Sequence, residues 1–296
     1  MTDQGKGALY LTCGATMISF GAVFVKVASV GPTISGFYRM LFGGIILLAV
    51  LLYRRERILN PHAAIFSAII CGLLFSLDLF LWHRCIYLVG PGLATLLANF
   101  QVFFFSAYGI LVLKEKLDWK LAVSIPLAMI GLTMIVGIDI ANMSSNYRLG
   151  VVLGLMTAMS YATFMIVLQR FQRATGAKFS YSAVTIVTIT SAVALGTSGL
   201  IEGESYRIPD LHSFASLVAY GLAGQVLGWL VIAKGLPRVR ASSAGLILLL
   251  QPALAFVWDV AFFHRPTMPV EVAGAAIALA AIYLGSTSHS ESRPSV

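Results

Sequence analysis

Charge is the scarcest thing in this chain. Asp, Glu, Lys and Arg together supply 11% of its 296 residues, and only 12 residues are acidic, against roughly a quarter charged in a soluble domain. So few charges cannot cover a water-facing surface of that size, which excludes an ordinary soluble globular protein. Cysteine is rare too. Cys13, Cys71 and Cys85 form an odd set without paired spacing, all inside apolar stretches, and they read as small buried hydrophobes, not as a disulfide framework. The five histidines, His62, His83, His212, His264 and His289, are scattered over separate connectors and span ends. Neither a metal site nor a nucleophile and base pair emerges from them, which argues against an integral-membrane enzyme, and no cofactor is expected. Long connectors are also missing. None exceeds about a dozen residues, far short of a soluble catalytic or regulatory domain, so the function has to lie within the helices.

What is abundant is apolar sequence. Hydrophobic residues make up 58% of the chain and the mean hydropathy is +0.88. Ten apolar stretches, at 7–28, 32–53, 63–87, 91–113, 119–138, 149–169, 180–201, 213–234, 241–263 and 268–287, each meet the roughly 20 residues that a helix needs to cross a hydrocarbon core. The expectation is an all-α integral membrane protein, one transmembrane domain over 1–296. Its first apolar run exceeds a signal-peptide core and is not followed by a small-x-small cleavage site, so it is expected to stay.

The formal charge of +8 would suggest nucleic acid if it lay on one face or in a tail. Here it lies in short connectors, so no nucleic-acid partner is expected and the charges read as topology signals. With the N-terminus in the cytoplasm, the connectors on that side hold Lys6; Arg54, Arg55 and Arg57; Lys114, Lys116 and Lys120; Arg170, Arg173 and Lys178; Lys234, Arg238 and Arg240; and Arg293, fourteen in all. The other side holds five, Lys26, Arg84, Arg148, Arg207 and Arg265, and Arg39 falls inside a span. The positive-inside rule then puts both termini in the cytoplasm.

Ten spans divide into two sets of five, 7–138 and 149–287, and an odd number of crossings per set inserts the two halves in opposite senses. A shift of 150 residues lays Val89, Ala94, Leu96 and Gln101 on Val239, Ala244, Leu246 and Gln251. A shift of 141 lays Ile18 to Gly21 on Met159 to Ala162. The 27 glycines suit close helix packing in lipid.

The second span reads Phe37-Tyr38-Arg39-Met40; the fourth reads Ala94-Thr95-Leu96-Leu97 and exits through Lys114-Glu115-Lys116-Leu117; the ninth reads Ala241 to Leu246 and then Gln251-Pro252. With these elements the chain resembles the drug/metabolite transporter superfamily of EamA type over essentially its whole length. Val102 stands where the first repeat of that family usually has Pro, and His264-Arg265-Pro266 replaces the acidic exit of the second. Within the superfamily the chain is most similar to the bacterial aromatic amino-acid exporters. The resemblance implies ten helices as two inverted five-helix repeats, a bacterial inner (plasma) membrane location, and export or uniport of aromatic and other neutral amino acids and related small metabolites by alternating access. The lipid bilayer and the small-molecule substrate are the partners it implies, with a monomer compatible and the oligomeric state open.

Ionisable groups at bilayer depth are costly and therefore candidates for function. Arg39 lies in the outer part of the second span, and Asp78 lies well inside the third. Asp78 reads as a partner for Arg39, as a ligand for a substrate amine, or as a proton carrier, and a proton-coupled drug/metabolite antiporter is the alternative function. The first span carries no carboxylate, unlike that of the small multidrug antiporters, which favours facilitated uniport. From another class, a passive channel is the rival. Helical spacing gathers the remaining candidates for substrate binding: Phe75, Asp78 and Trp82 with His83 beside them; Thr95, Asn99 and Ser106 with Phe103; Met156, Ser160 and Phe164; Met17 with Ser19; Gln225 and Trp229; and Ser243, Ile247, Gln251 and Trp258. Polar stripes such as these must face one another or a cavity, because lipid offers no hydrogen-bond partner. Trp82 and Trp229 are expected on opposite sides of one central cavity.

Overall fold

The structure, a computed structural model, describes residues 2–55, 62–89, 91–115, 118–136, 145–174, 181–264 and 266–286. Arg57, Lys116, Lys178, Arg265, His289, Arg293 and Asn142 lie outside these described residues. The helices are α1 (Asp3–Ser19), α2 (Gly21–Val27), α3 (Pro32–Arg54), α4 (His62–Val89), α5 (Pro91–Ala98), α6 (Gln101–Leu111) and α7 (Trp119–Val136) in the first half of the chain. The second half has α8 (Ser145–Ala174), α9 (Tyr181–Glu202), α10 (Leu211–Tyr220), α11 (Trp229–Gly235), α12 (Ala241–Leu248), α13 (Leu250–Phe263) and α14 (Pro269–Ser286). A π-helical segment, Gly221–Gly228, joins α10 to α11. Among the described residues, eight helical stretches are long and apolar enough to cross a membrane, and two further apolar helices, Trp119–Ile135 and Pro269–Gly285, are shorter.

Local chemistry sets the ends. Thr2 caps α1 through the Gly5 amide at 3.1 Å, and Pro32 opens α3, where its missing N–H costs nothing. Asp210 caps α10 by accepting from the Ser213 amide at 2.7 Å, and that hydrogen bond holds its carboxyl below the usual range. Arg55, Lys114 and His264 end α3, the fourth span and the ninth in the left-handed conformation, with φ of 50°, 55° and 49°.

Four of the apolar stretches are not continuous α-helices. The first breaks at Phe20. The fourth breaks at Asn99 and Phe100, where the Phe100 amide donates to the Leu97 carbonyl at 3.0 Å and the Asn99 side chain takes up the Thr95 carbonyl at 2.7 Å. The ninth breaks at Leu249, just before Pro252, whose ring has no N–H for the Leu248 carbonyl. The eighth widens into the π-helical segment over Gly221, Gly224 and Gly228. Freed backbone groups of this kind persist in a bundle only where neighbouring helices or a cavity satisfy them.

Packing runs in pairs: α7 against α14, α4 against α8 and α9, α3 against α9 and the π-helical segment, α1 against α11, and α6 against α12. Glycine allows the closest of these approaches. A Cβ on Gly131 would lie 2.6 Å from the Gly274 carbonyl oxygen, and one on Gly274 would lie 2.6 Å from the Gly131 oxygen, so the α7 and α14 backbones touch. Of the cysteines, Cys71 and Cys85 are buried as expected, but Cys13 is exposed. It shares the surface of α1 with Leu9 and Tyr10, while α1 turns Gly7, Leu11 and Gly14 inward.

Candidate functional site

Buried and half-buried polar side chains from several helices lie inside the bundle. Arg39 of α3 and Asp78 of α4 are 6% and 7% exposed. An Arg39 terminal nitrogen donates to the Tyr220 hydroxyl at 3.2 Å, and the guanidinium lies 5.0 Å above the centre of the Tyr220 ring at the end of α10. Tyr161 of α8 and Gln251 of α13 are half-buried. No ion pair within 4.0 Å joins Arg39 and Asp78.

An aromatic cluster adjoins this polar group. Phe75 and Phe164 stack at 4.9 Å and 20°, and the Trp229 ring stands edge-on to them at 5.2 and 5.3 Å. Tyr161 touches all three. A void of about 10 Å³ remains between Phe75, Phe164, Gln225 and Trp229, room for about one water. Two buried polar atoms without partners, Gln225 Oε1 and Trp229 Nε1, belong to residues of its wall. A groove of about 430 Å³ between α3 and α9 takes none of these side chains and is lined by residues such as Leu41, Ile45, Ile189 and Val193.

The bundle is closed around α12 and looser around α13. All eight residues of α12 are buried, against only Ala253 and Phe256 in α13. At the closed end Glu115 accepts from the Ala241 amide at 3.0 Å, the Ser242 amide at 3.4 Å and the Ser242 hydroxyl at 2.7 Å. Gln169 donates to the Leu236 and Val239 carbonyls at 2.9 and 3.2 Å. At the other end, Lys26 pairs with Asp259 at 2.8 Å and Arg84 pairs with Glu202.

Of the residues expected at the site, Phe164 and Trp229 are brought together; Asp78 is buried one helical turn beyond Phe75, which stacks on Phe164, and Gln251 is half-buried in α13. Ser160 is buried beside them with its hydroxyl on the Leu74 carbonyl at 3.0 Å. Gln225 joins through the small void and donates to Thr188 at 2.8 Å. Asn99 is occupied at the helix break, Ser243 is buried in α12, and Met17 is half-buried. His83 is buried next to Trp82, its Nδ1 without a partner. Met156 and Phe103 are 42% and 40% exposed; Met156 lies on the outer stripe of α8 with Val152 and Met159. Trp82 packs around Cys85, Ala94 and Leu97, whereas Trp229 belongs to the main core, so the two tryptophans do not share one cluster. Trp258 donates to Ser19 at 2.8 Å and stacks on Phe20 at 4.5 Å, tying the first and ninth stretches. Sequence reasoning missed Tyr161, Tyr220, Thr188 and the role of Glu115. A tyrosine well inside a span, away from the interfacial belts where tyrosines collect, was the available signal for Tyr161.

Comparison with known proteins places this arrangement. The EamA-like transporter family is matched at residues 5–137 and 148–287. Solute carrier family 35 member G1 of Homo sapiens is 23% identical over 277 residues, covering 88% of this chain and 73% of that protein. A protein of known crystal structure shares the fold, with a TM-score of 0.78 over 95% of this chain and 98% of its own at 16% identity.

Proposed function

We propose that this chain, which belongs to the EamA-like transporter family and is thus a multi-pass membrane transporter of small metabolites, moves amino acids, aromatic and other neutral ones, across a bacterial inner membrane by alternating access. The observation that carries this reading is the polar group inside the helical bundle, with Arg39 and Asp78 buried and the Arg39 guanidinium held by Tyr220, beside the aromatic cluster of Phe75, Tyr161, Phe164 and Trp229. A small polar solute is the ligand that such a lining suits, apolar with a few directed polar groups.

The topology proposed is ten crossings as two inverted halves with both termini cytoplasmic. Several features support it. The helix breaks at Asn99 and Leu249, and the left-handed ends at Lys114 and His264, each recur at the same 150-residue shift. The packing of α4 on α8 is mirrored by that of α1 on α11, and α7 packs on α14 as its own counterpart. The fourteen to five division of basic residues sets the orientation. On that orientation α12 begins at the cytoplasmic side, so the protein stands closed to the cytoplasm and looser to the outside. Uniport is the simplest mechanism, one half rocking on the other about the interior polar group.

Counterflow of a panel of labelled amino acids into preloaded proteoliposomes tests the function. Saturable uptake with competition between neutral amino acids is expected; flux rising linearly with concentration would instead mark a channel. The burial of Asp78 favours one second reading, proton-coupled antiport. An imposed pH gradient in the same vesicles decides it: acceleration of net flux supports coupling, and an unchanged rate supports uniport.

A further inference from the structure

A groove of about 430 Å³ runs between α3 and α9, on the face of α3 opposite Arg39. Its walls are Leu41, Ile45 and Leu48 from one helix and Ile189, Val193 and Leu200 from the other, all exposed except half-buried Leu41. Small residues make it deep. Gly44, Ala192 and Gly196 line it, and a Cβ on Gly196 would lie 3.0 Å from the Phe37 ring. Both helices are long and apolar enough to cross a membrane, so the groove opens to hydrocarbon and not to water.

Chemistry, length and width define what fills it. Thr197 and Tyr206 are the lining residues with polar side chains; the Thr197 hydroxyl donates to the Val193 carbonyl at 2.8 Å, and the Tyr206 hydroxyl donates to the Gly196 carbonyl. Neither has a proton left to offer, so a polar solute finds no donor there. The lining runs from Phe37 to Leu48 on α3 and from Ile189 to Leu200 on α9, about 16 Å on each at 1.5 Å per residue. One leaflet of a bilayer has roughly the same depth of hydrocarbon, about 15 Å. A helix at least 10 Å across would fill about 1,250 Å³ over that length, about three times the groove, so a neighbouring helix would lay only side chains along its rim. A single acyl chain fits, and a gap left unfilled would forfeit dispersion contacts along both walls.

One end of the groove is marked. The Tyr206 ring meets Phe37 edge-on at 5.2 Å, and the Tyr206 carbonyl accepts from the Tyr38 hydroxyl at 2.6 Å. Tyrosine collects at the level of lipid head groups. Arg207 follows it, exposed and without an ion pair among the described residues. Of the neighbouring carboxylates, Glu202 is paired with Arg84, and Glu204 is turned to Gly31, its Oε2 3.0 Å from where a Gly31 Cβ would lie. That leaves the Arg207 guanidinium to meet a phosphate.

We propose that the groove between α3 and α9 binds one acyl chain of a bilayer phospholipid, whose phosphate meets Arg207 beside Tyr206. On the orientation given above this is a lipid of the outer leaflet.

Native mass spectrometry of the detergent-purified protein tests it. The protein is stripped of lipid and incubated with palmitoyl-oleoyl phosphatidylglycerol, and one tightly held phospholipid is expected. Ile45→Trp together with Val193→Trp fills the groove from its exposed walls and should lower that occupancy about tenfold. Thr197→Trp, at another exposed lining position, should act in the same direction and serves if the double variant does not fold. Arg207→Ala should weaken retention by about threefold or more. Val152→Trp on the exposed stripe of α8 is the control and should change nothing. A monodisperse elution profile checks the folding of each variant. A wild type that holds no phospholipid overturns the proposal, and so does equal occupancy in the wild-type and groove-filled proteins. Retention unmoved by Arg207→Ala overturns the phosphate contact. A doubled protein mass that the filling substitutions return to a single chain would put a second copy in the groove and overturn the lipid.

Discussion

Removing the Glu115 carboxylate should unlatch the closed end of the bundle. Lys114 turns the chain back in the left-handed conformation, with φ of 55°, and the Glu115 amide then donates to the Gly109 carbonyl at 2.9 Å. The side chain folds over Gly109, where a Cβ would lie 2.9 Å from Glu115 Cδ, and reaches the start of α12. There it takes two amides and the Ser242 hydroxyl, at the helix end where negative charge is favoured. Hydrogen bonds to a charged group contribute about 1.5–3 kcal/mol each. Because Glu115 is only half-buried, about 2–3 kcal/mol for the set is a discounted figure, which is a factor of roughly 30 to 150 in the closed-to-open ratio. The sequence offers no such latch at the other end. At the 150-residue shift Arg265 stands for Glu115, and Pro91 and Gly92 stand for Ala241 and Ser242, so neither the carboxylate nor the proline N–H nor the hydroxyl recurs. The assay is alkylation from the cytoplasmic side of a single cysteine introduced as Ser243→Cys, with Cys13, Cys71 and Cys85 replaced by alanine. Ser243 is 5% exposed in the closed bundle, and Glu115→Ala should raise its labelling rate by about 30-fold or more. Gly109→Ala, which crowds Glu115 directly, should act in the same direction. An unchanged rate in Glu115→Ala would refute the latch, and so would an equal rise at a cysteine on the far side of the bundle.

Two further outcomes follow from the packing. Gly274→Leu forces side-chain atoms into the Gly131 backbone, 2.6 Å from the position of its Cβ, and should destabilise the detergent-solubilised protein by about 1–3 kcal/mol; an unaltered Tm would show that α7 and α14 separate freely. Trp229→Ala opens a cavity in a core where Trp229 is 4% exposed and should cost about 3–5 kcal/mol, with Trp82→Ala lowering Tm by clearly less because Trp82 is only half-buried. Equal losses in Tm would contradict the placement of the two tryptophans in different clusters.

The scarcity of charge and the apolar runs sufficed to predict an all-helical membrane chain, because lipid leaves a spanning backbone few ways to satisfy its hydrogen bonds. The expectation of two paired halves came from Gln101 and Gln251 and the neighbours that share their shift. The site was legible only in part. Asp78 and Arg39 stood out because an ionisable group at depth is rare, but periodicity could not tell an inward face from an outward one on helices that are apolar all round. Met156 and Phe103 accordingly fell on exposed faces, and Cys13 turned outward. Local sequence carries no record of what lies across a helix interface. That Arg39 would rest on Tyr220, that Tyr161 would join Phe75, Phe164 and Trp229 in one aromatic cluster, and that Glu115 would cap a helix that begins more than a hundred residues later were decided by tertiary packing.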